Sequence, residues 1–285
     1  MQVVTHVEEL KQKIRVARAA GQTIGVVPTM GYLHEGHLTL MRRARAEQGF
    51  VIATLFVNPL QFGPQEDFAV YPRDLNRDSA LAETTGIDLL FAPSVDEMYP
   101  AGNGRTLTFV DVEKITTTLC GASRPGHFRG VATVVTKLFN LTEADTAYFG
   151  QKDAQQVAVI RRMIEDLNMN VKIVAVPIVR EPDGLALSSR NQFLSPAERK
   201  AGLVLSRSLN RARELLMTGE RDVTVILATM DDLIRQEPLA VVDYISIVDT
   251  RTLEPIKHLS GAALIALAVR FGKTRLIDNL LWEEK

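Results

Sequence analysis

Eight consecutive residues, Phe50-Val-Ile-Ala-Thr-Leu-Phe-Val57, are apolar but for one threonine, and this run restricts the fold more than any other feature of the chain. A strand with one wet face alternates polar and apolar residues. An unbroken run suits a strand covered on both faces, the environment of a parallel sheet. Asn58 and Pro59 end it. Residues 23–28 and 87–91 read as further short buried strands, another closes at Tyr148 and Phe149, and 171–176 is one more. Helical stretches fall between them, at about 37–48, 74–85 and 154–167. Val131, Val134, Val135, Leu138 and Phe139 occupy i, i+3, i+4, i+7 and i+8, one face of another helix. Strands alternating with helices predict an α/β fold with a doubly wound parallel sheet. Such sheets bind ligands beyond the carboxyl ends of their strands, which here are residues 28–37, 58–62, 149–156 and 179–191.

The pattern changes around Arg180-Glu-Pro-Asp-Gly184 and Ser195-Pro196. Helical stretches at about 197–217 and 223–236 precede strand candidates at 241–248, 263–269 and 274–280. This predicts two domains, residues 1–180 and a smaller α+β domain over 181–285. Thirty-three basic against 34 acidic residues leave a net charge of −1, without the basic footprint that a nucleic-acid backbone demands. A small anion needs only a few local donors. No apolar run reaches the ~20 residues of a membrane span, and Met1 to Lys11 has no apolar signal core. One cysteine, Cys120, forms neither an internal disulfide nor a cysteine zinc cluster. The expectation is a cytoplasmic protein without nucleic-acid or membrane partners.

Five segments carry residues suited to chemistry. In Pro28-Thr-Met-Gly-Tyr-Leu-His-Glu-Gly-His37 a strand enters a glycine turn and then a helix, whose N-terminal N–H groups suit phosphate. His34 and His37 share a helical face; read alone, they are equally surface histidines beside a turn. Their spacing of three is not the spacing of four that a zincin needs. In Phe56-Val-Asn-Pro-Leu-Gln-Phe62, the amides of Asn58 and Gln61 are placed to bind hydroxyls or carboxylates, or simply to line a polar loop. Arg124-Pro-Gly-His-Phe-Arg-Gly-Val131 is a turn into the amphipathic helix, with Arg124, His127 and Arg129 available to anions or serving only the helix entry. In Phe149-Gly-Gln-Lys-Asp-Ala-Gln-Gln156, Lys152 suits phosphate and Asp153 a magnesium ion or a ribose hydroxyl. The plain alternatives are a solvated lysine and a helix cap. Ser188-Ser-Arg190 offers two hydroxyls and a bidentate donor to phosphate.

His34-Glu-Gly-His37 resembles the His-x-Gly-His element of the nucleotidyl-transferase superfamily, and Leu187-Ser-Ser-Arg190 resembles its mobile Lys-Met-Ser-Lys-Ser loop. The five segments together, in this order and spacing, are similar to the pantothenate synthetase family (pantoate–β-alanine ligases) along nearly the whole chain. Small departures are Leu187, where methionine is expected, and Ala154, where an aromatic is frequent.

The resemblance implies a Rossmann-like N-terminal domain closed by a C-terminal lid, a homodimer, and an ATP- and Mg²⁺-dependent condensation of pantoate with β-alanine through pantoyl adenylate. It implies catalytic roles for His34, His37, Lys152 and Arg190. For ATP it implies Met30, Gly31, Tyr32, Leu33, His34, Glu35, Gly36 and His37, then Gly150, Gln151, Lys152 and Asp153, and finally Val179, Leu187, Ser188, Ser189 and Arg190. Pantoate falls to Gln61 and Gln156, β-alanine to Gln61 and Asn58, and magnesium to Asp153. Three rivals stand beside it: an adenylyl transferase that stops at the first step, which has no use for the amides of Asn58, Gln61 and Gln156; a class I aminoacyl-tRNA synthetase, against which stand the short chain and the net charge of −1; and a nucleotide sensor without catalysis.

Overall fold

The structure is a computed structural model that describes residues 1–64, 66, 68–102 and 106–283. Its first part runs β1 (Gln2–Val4), α1 (Val7–Ala19), β2 (Ile24–Thr29), α2 (Glu35–Glu47), β3 (Phe50–Leu55), α3 (Leu75–Glu83), β4 (Leu89–Phe91), α4 (Val95–Met98), α5 (Cys120–Ser123), α6 (His127–Thr142), β5 (Thr146–Gly150), α7 (Ala154–Asp166) and β6 (Lys172–Val176). The strands form one six-stranded parallel sheet in the order β1-β4-β3-β2-β5-β6. The predicted doubly wound sheet is present. β2 gives the reason for its unbroken apolar reading: Ile24 and Val26 pack into a core with α1, α6 and α7, while Val27 faces a second core with α2 and α3. From β2 the chain winds outward through β3 and β4, then crosses to β5 on the other side of β2. The switch point of the sheet therefore lies between the ends of β2 and β5.

Four of these elements have no counterpart in the sequence reading: β1, α1 and the four-residue helices α4 and α5. β1 is three residues long with only its last side chain buried. α1 buries Leu10, Ile14 and Ala17 alone, an apolar stripe too thin to stand out.

The second part contains α8 (Pro196–Gly202), α9 (Val204–Met217), α10 (Val223–Arg235), β7 (Ala240–Asp249), β8 (Ala263–Phe271) and β9 (Thr274–Trp282). The stretch read as one helix over 197–217 is two, because a single tight turn, Leu203 N–H to Lys200 carbonyl, interrupts the ladder. The three strands form an antiparallel sheet, β7-β8-β9. Its central strand is buried from Ala263 to Val269. One face packs on α9 and α10, and the other sends Leu264 and Ala266 into the core of the first part. Among the described residues no helix is long and apolar enough to cross a membrane.

Candidate active site

The turn after β2 is built for close approach. Gly31 and Tyr32 both have positive φ, 84° and 50°, a conformation glycine adopts freely and tyrosine at a cost. Asp78 of α3 holds it: its carboxylate accepts the N–H of Tyr32 at 2.6 Å and of Leu33 at 2.7 Å. Arg77 completes the brace on the Leu33 carbonyl at 2.8 Å and lies over the Tyr32 ring. The sequence reading missed Asp78, which carries no local motif.

The turn delivers His34 to the N-cap of α2 and His37 to its first turn. Their rings lie 4.0 Å apart between centroids. Gly36 makes room for this, since a Cβ there would sit 2.9 Å from Cε1 of His34. Burial, and then the Lys152 ammonium, lower His34 to a pKa of about 4. Burial, then His34 and Lys152, hold His37 well below the ordinary histidine range. Both are neutral at pH 7. The His34 N–H donates to Nδ1 of His37 over a long 3.4 Å, so the neutral His37 ring keeps its proton on Nε2, as a donor.

At the end of β5, Gly150, Lys152, Asp153 and Gln156 meet the histidines around a cavity of about 220 Å³, which adjoins a second of about 860 Å³. The smaller lies between the ends of β2 and β5, the switch point of the sheet. The larger opens between the two parts of the chain. Lys152, Asp153, Gln156, Ser188 and Arg190 border both. The neighbouring Gln155 borders the larger cavity alone, its amide spent on the N–H of Cys120 and the carbonyls of Ile115 and Thr118. Leu187, Ser188 and Ser189 reach the smaller cavity because the Leu187 N–H pairs with the Val179 carbonyl and Arg180 bridges Ala186, folding the 179–190 loop back on itself.

Opposite the histidines the wall is apolar: Phe56, Val131, Val134 and Leu138. The stripe on α6 that reads as core therefore also lines a cavity. Gln61 is set into this wall by Asn58, which is 1% exposed. Nδ2 of Asn58 donates to Oε1 of Gln61 at 3.1 Å and to the Gly130 carbonyl at 3.1 Å, while its Oδ1 accepts from Tyr99 and Leu60. Gly130 is required, because a Cβ would collide with the Leu60 carbonyl. Gln61 in turn donates to Sδ of Met30. Behind it, Glu66 pairs with Arg124 at 2.7 Å, Arg124 donates to Nε2 of His127 at 3.0 Å, and Nδ1–H of His127 donates to the Gln61 carbonyl at 2.8 Å. Burial and then Arg124 lower His127 to about 4.

The structure separates some residues grouped above. Asn58 has its amide fully engaged inside the protein and orients Gln61. Glu35 is exposed and paired with Arg42, and Leu33 is core. Tyr32 lies under Arg77. Gln151 turns from the cavities toward Asn279 of β9.

Comparison with known proteins agrees with this geometry. The family model described as pantoate-beta-alanine ligase matches residues 2–281. The pantothenate synthetase of Heliobacterium modesticaldum is 63% identical, over 99% of this chain and 100% of its own. That of Geobacter sulfurreducens is 53% identical over the full length of both. Among solved structures, pantothenate synthetase from Thermus thermophilus superposes with a TM-score of 0.92 at 51% identity, covering 98% of this chain and 99% of that one. The Francisella tularensis pantoate-beta-alanine ligase, complexed with beta-gamma ATP and beta-alanine, gives 0.77 at 34% identity, covering 99% and 97%. Fold and site thus define an enzyme of the nucleotidyl-transferase-like class, a ligase that joins an acid to an amine. The chain belongs to the pantoate–β-alanine ligase family.

Proposed function

We propose that this enzyme condenses pantoate with β-alanine at the expense of ATP through pantoyl adenylate, with release of pyrophosphate and AMP. One observation carries the reading. A single cleft combines phosphate donors (His34, His37, Lys152, Ser188 and Arg190) with an apolar-walled recess holding two amides, Gln61 and Gln156. Pantoate, a branched hydroxy acid, needs that mixture: methyl groups against Val131, Val134 and Leu138, hydroxyls and carboxylate on the amides. The Francisella relative, bound to an ATP analogue and β-alanine, supports the other two substrates.

In the first step a pantoate carboxylate oxygen attacks the α-phosphorus, and the bond to the β-phosphate oxygen breaks. Charge neutralisation dominates such a transfer. Neutral His37, donating through Nε2, and cationic Lys152 and Arg190 follow negative charge toward the leaving pyrophosphate. In the second step the uncharged amine of β-alanine attacks the acyl carbon, the bond from that carbon to the phosphate oxygen breaks, AMP leaves, and the amine's proton passes to phosphate or water. The apolar wall keeps water from the adenylate.

Magnesium fits as an ion brought with the nucleotide. Asp153 borders both cavities, and no group of three or more His, Cys, Asp or Glu among the described residues forms a cage. Mg²⁺ commonly keeps its waters and uses one or two carboxylates plus substrate phosphates, and it would supply charge neutralisation there. The reading extends to residues 1–180 as the substrate domain, 181–285 as a lid, a homodimer, and a place in the cytoplasm.

The test is exchange of labelled pyrophosphate into ATP with pantoate present and β-alanine absent. Exchange is expected. If it requires β-alanine, and no pantoyl adenylate forms without it, the two-step scheme fails.

A further inference from the structure

Asp278 and Asn279 are adjacent on β9, opposite Leu267 and Ala266 in the buried middle of β8, and each reaches a different phosphate loop. Asn279, 5% exposed, donates through Nδ2 to the carbonyls of Gln151 at 3.0 Å and Lys152 at 2.9 Å. Its Oδ1 accepts from Nε2 of Gln151 at 3.4 Å. Asp278, 3% exposed, takes the Arg180 guanidinium on both oxygens, at 2.7 and 2.9 Å, and its Oδ1 also accepts the Asn279 N–H at 2.8 Å. Arg180 donates onward to the Gly184 carbonyl at 3.1 Å, at the bend of the loop that returns through Leu187 to Ser188 and Arg190.

Consecutive residues of a strand point to opposite faces, and this dipeptide uses both. One side chain grips the turn that carries Lys152. The other grips the base of the loop that carries Ser188, Ser189 and Arg190. The carbonyls of Gln151 and Lys152 lie, partly buried, in the 3₁₀ turn before α7, and backbone carbonyls taken from water need partners. Theirs comes from a strand more than a hundred residues away. The backbone under Lys152 is therefore set by where β9 sits.

We propose that Asp278 and Asn279 are positioning residues for adenylation, fixing the separation between Lys152 and the Ser188–Arg190 loop. The proposal rests on the function proposed above. It makes the C-terminal sheet a part of the phosphate site's scaffold as well as a cover over it. Displacing a positioned group by about 1 Å can cost ~10²-fold in rate.

The experiment compares wild type with Asn279→Ala in two assays: pantoate-dependent pyrophosphate exchange, and turnover of preformed pantoyl adenylate with β-alanine. Exchange is expected to slow roughly 10–100-fold, with kcat falling and KM for pantoate unchanged. Turnover of preformed adenylate should stay near the wild-type rate, since pyrophosphate has already left. A folded variant with normal exchange overturns the proposal, as does equal loss in both assays. Should alanine prevent folding, Asn279→Ser keeps a shorter donor: exchange slowed alone supports the proposal, and both assays slowed alike overturns it. If the wild type itself does not exchange, the reading beneath fails and takes this proposal with it. Normal wild-type exchange matched by the variant sinks the proposal alone.

Discussion

The two sheets meet at the same cleft by different means. The parallel sheet contributes through its strand ends, where short segments hold His34, His37, Lys152 and Gln156 in consecutive turns and helix starts. The antiparallel sheet contributes from mid-strand, where Asp278 and Asn279 act on the backbone and on a neighbouring arginine. The first arrangement puts side chains into the cleft and the second puts constraints on loops. A motif is compact where a turn presents it, whereas support is spread over whatever the fold brings near.

If that contrast holds, substitutions at the strand ends change chemistry, and substitutions in the supports change geometry or stability. The largest effect is expected for His37→Ala. Loss of one preorganised donor to a developing anion costs ~10²–10³ in rate, or roughly 3–4 kcal/mol. The loss should fall on pantoyl adenylate formation, with preformed adenylate still turned over. A histidine that only packs would instead lower the melting temperature and slow both half-reactions alike.

A pH titration of stability comes next. His34 and His127 have folded pKa values of about 4 against 6.5 ordinarily. As pH falls, the unfolded chain takes up these protons first. Their contribution is complete above about 6.5, declines from there to about 4, and is flat below. Each is worth roughly 3 kcal/mol at most. Urea midpoints measured across this window should fall with acid, and His127→Gln should make the slope shallower. A slope unchanged by that substitution would show that the fold does not hold His127 below its ordinary pKa.

The smallest expected effect is Asp78→Ala. It leaves the buried N–H of Leu33 and the partly buried N–H of Tyr32 without their acceptor, at roughly 1–3 kcal/mol. Thermal stability should drop, and adenylation should weaken through the loosened turn. Unchanged stability would mean that the positive-φ turn holds itself, which would break the division between presented groups and supports.

How much was legible in the sequence follows the same division. The parallel sheet could be read from Phe50 to Val57 because a strand covered on both faces has no alternation to hide it. The histidine pair, Lys152 and the Ser188–Arg190 loop stand in local strings at strand ends. Asp78 acts on a residue 46 positions away and Asn279 on one 127 positions away, so no window of sequence contains both partners. Asn58 shows the converse. Its position beside Gln61 marked it as a ligand group, yet its hydrogen bonds to Gly130 and Tyr99 are long-range contacts that only the folded chain discloses. β1 and α1 were missed because each buries few side chains, Val4 in the one and Leu10, Ile14 and Ala17 in the other.

The stripe on α6 bears on how such an enzyme can change its diet. Val131, Val134 and Leu138 belong to the main core and also wall the smaller cavity. Reshaping the recess for a bulkier or slimmer acid therefore means repacking the interior, where one lost methylene is already felt. Variants with a new acid preference should emerge most readily from a background first made more stable elsewhere, for instance at exposed positions of α9 or α10. Under the proposed function, selectivity for the acid is in this way sheltered by the cost of unfolding.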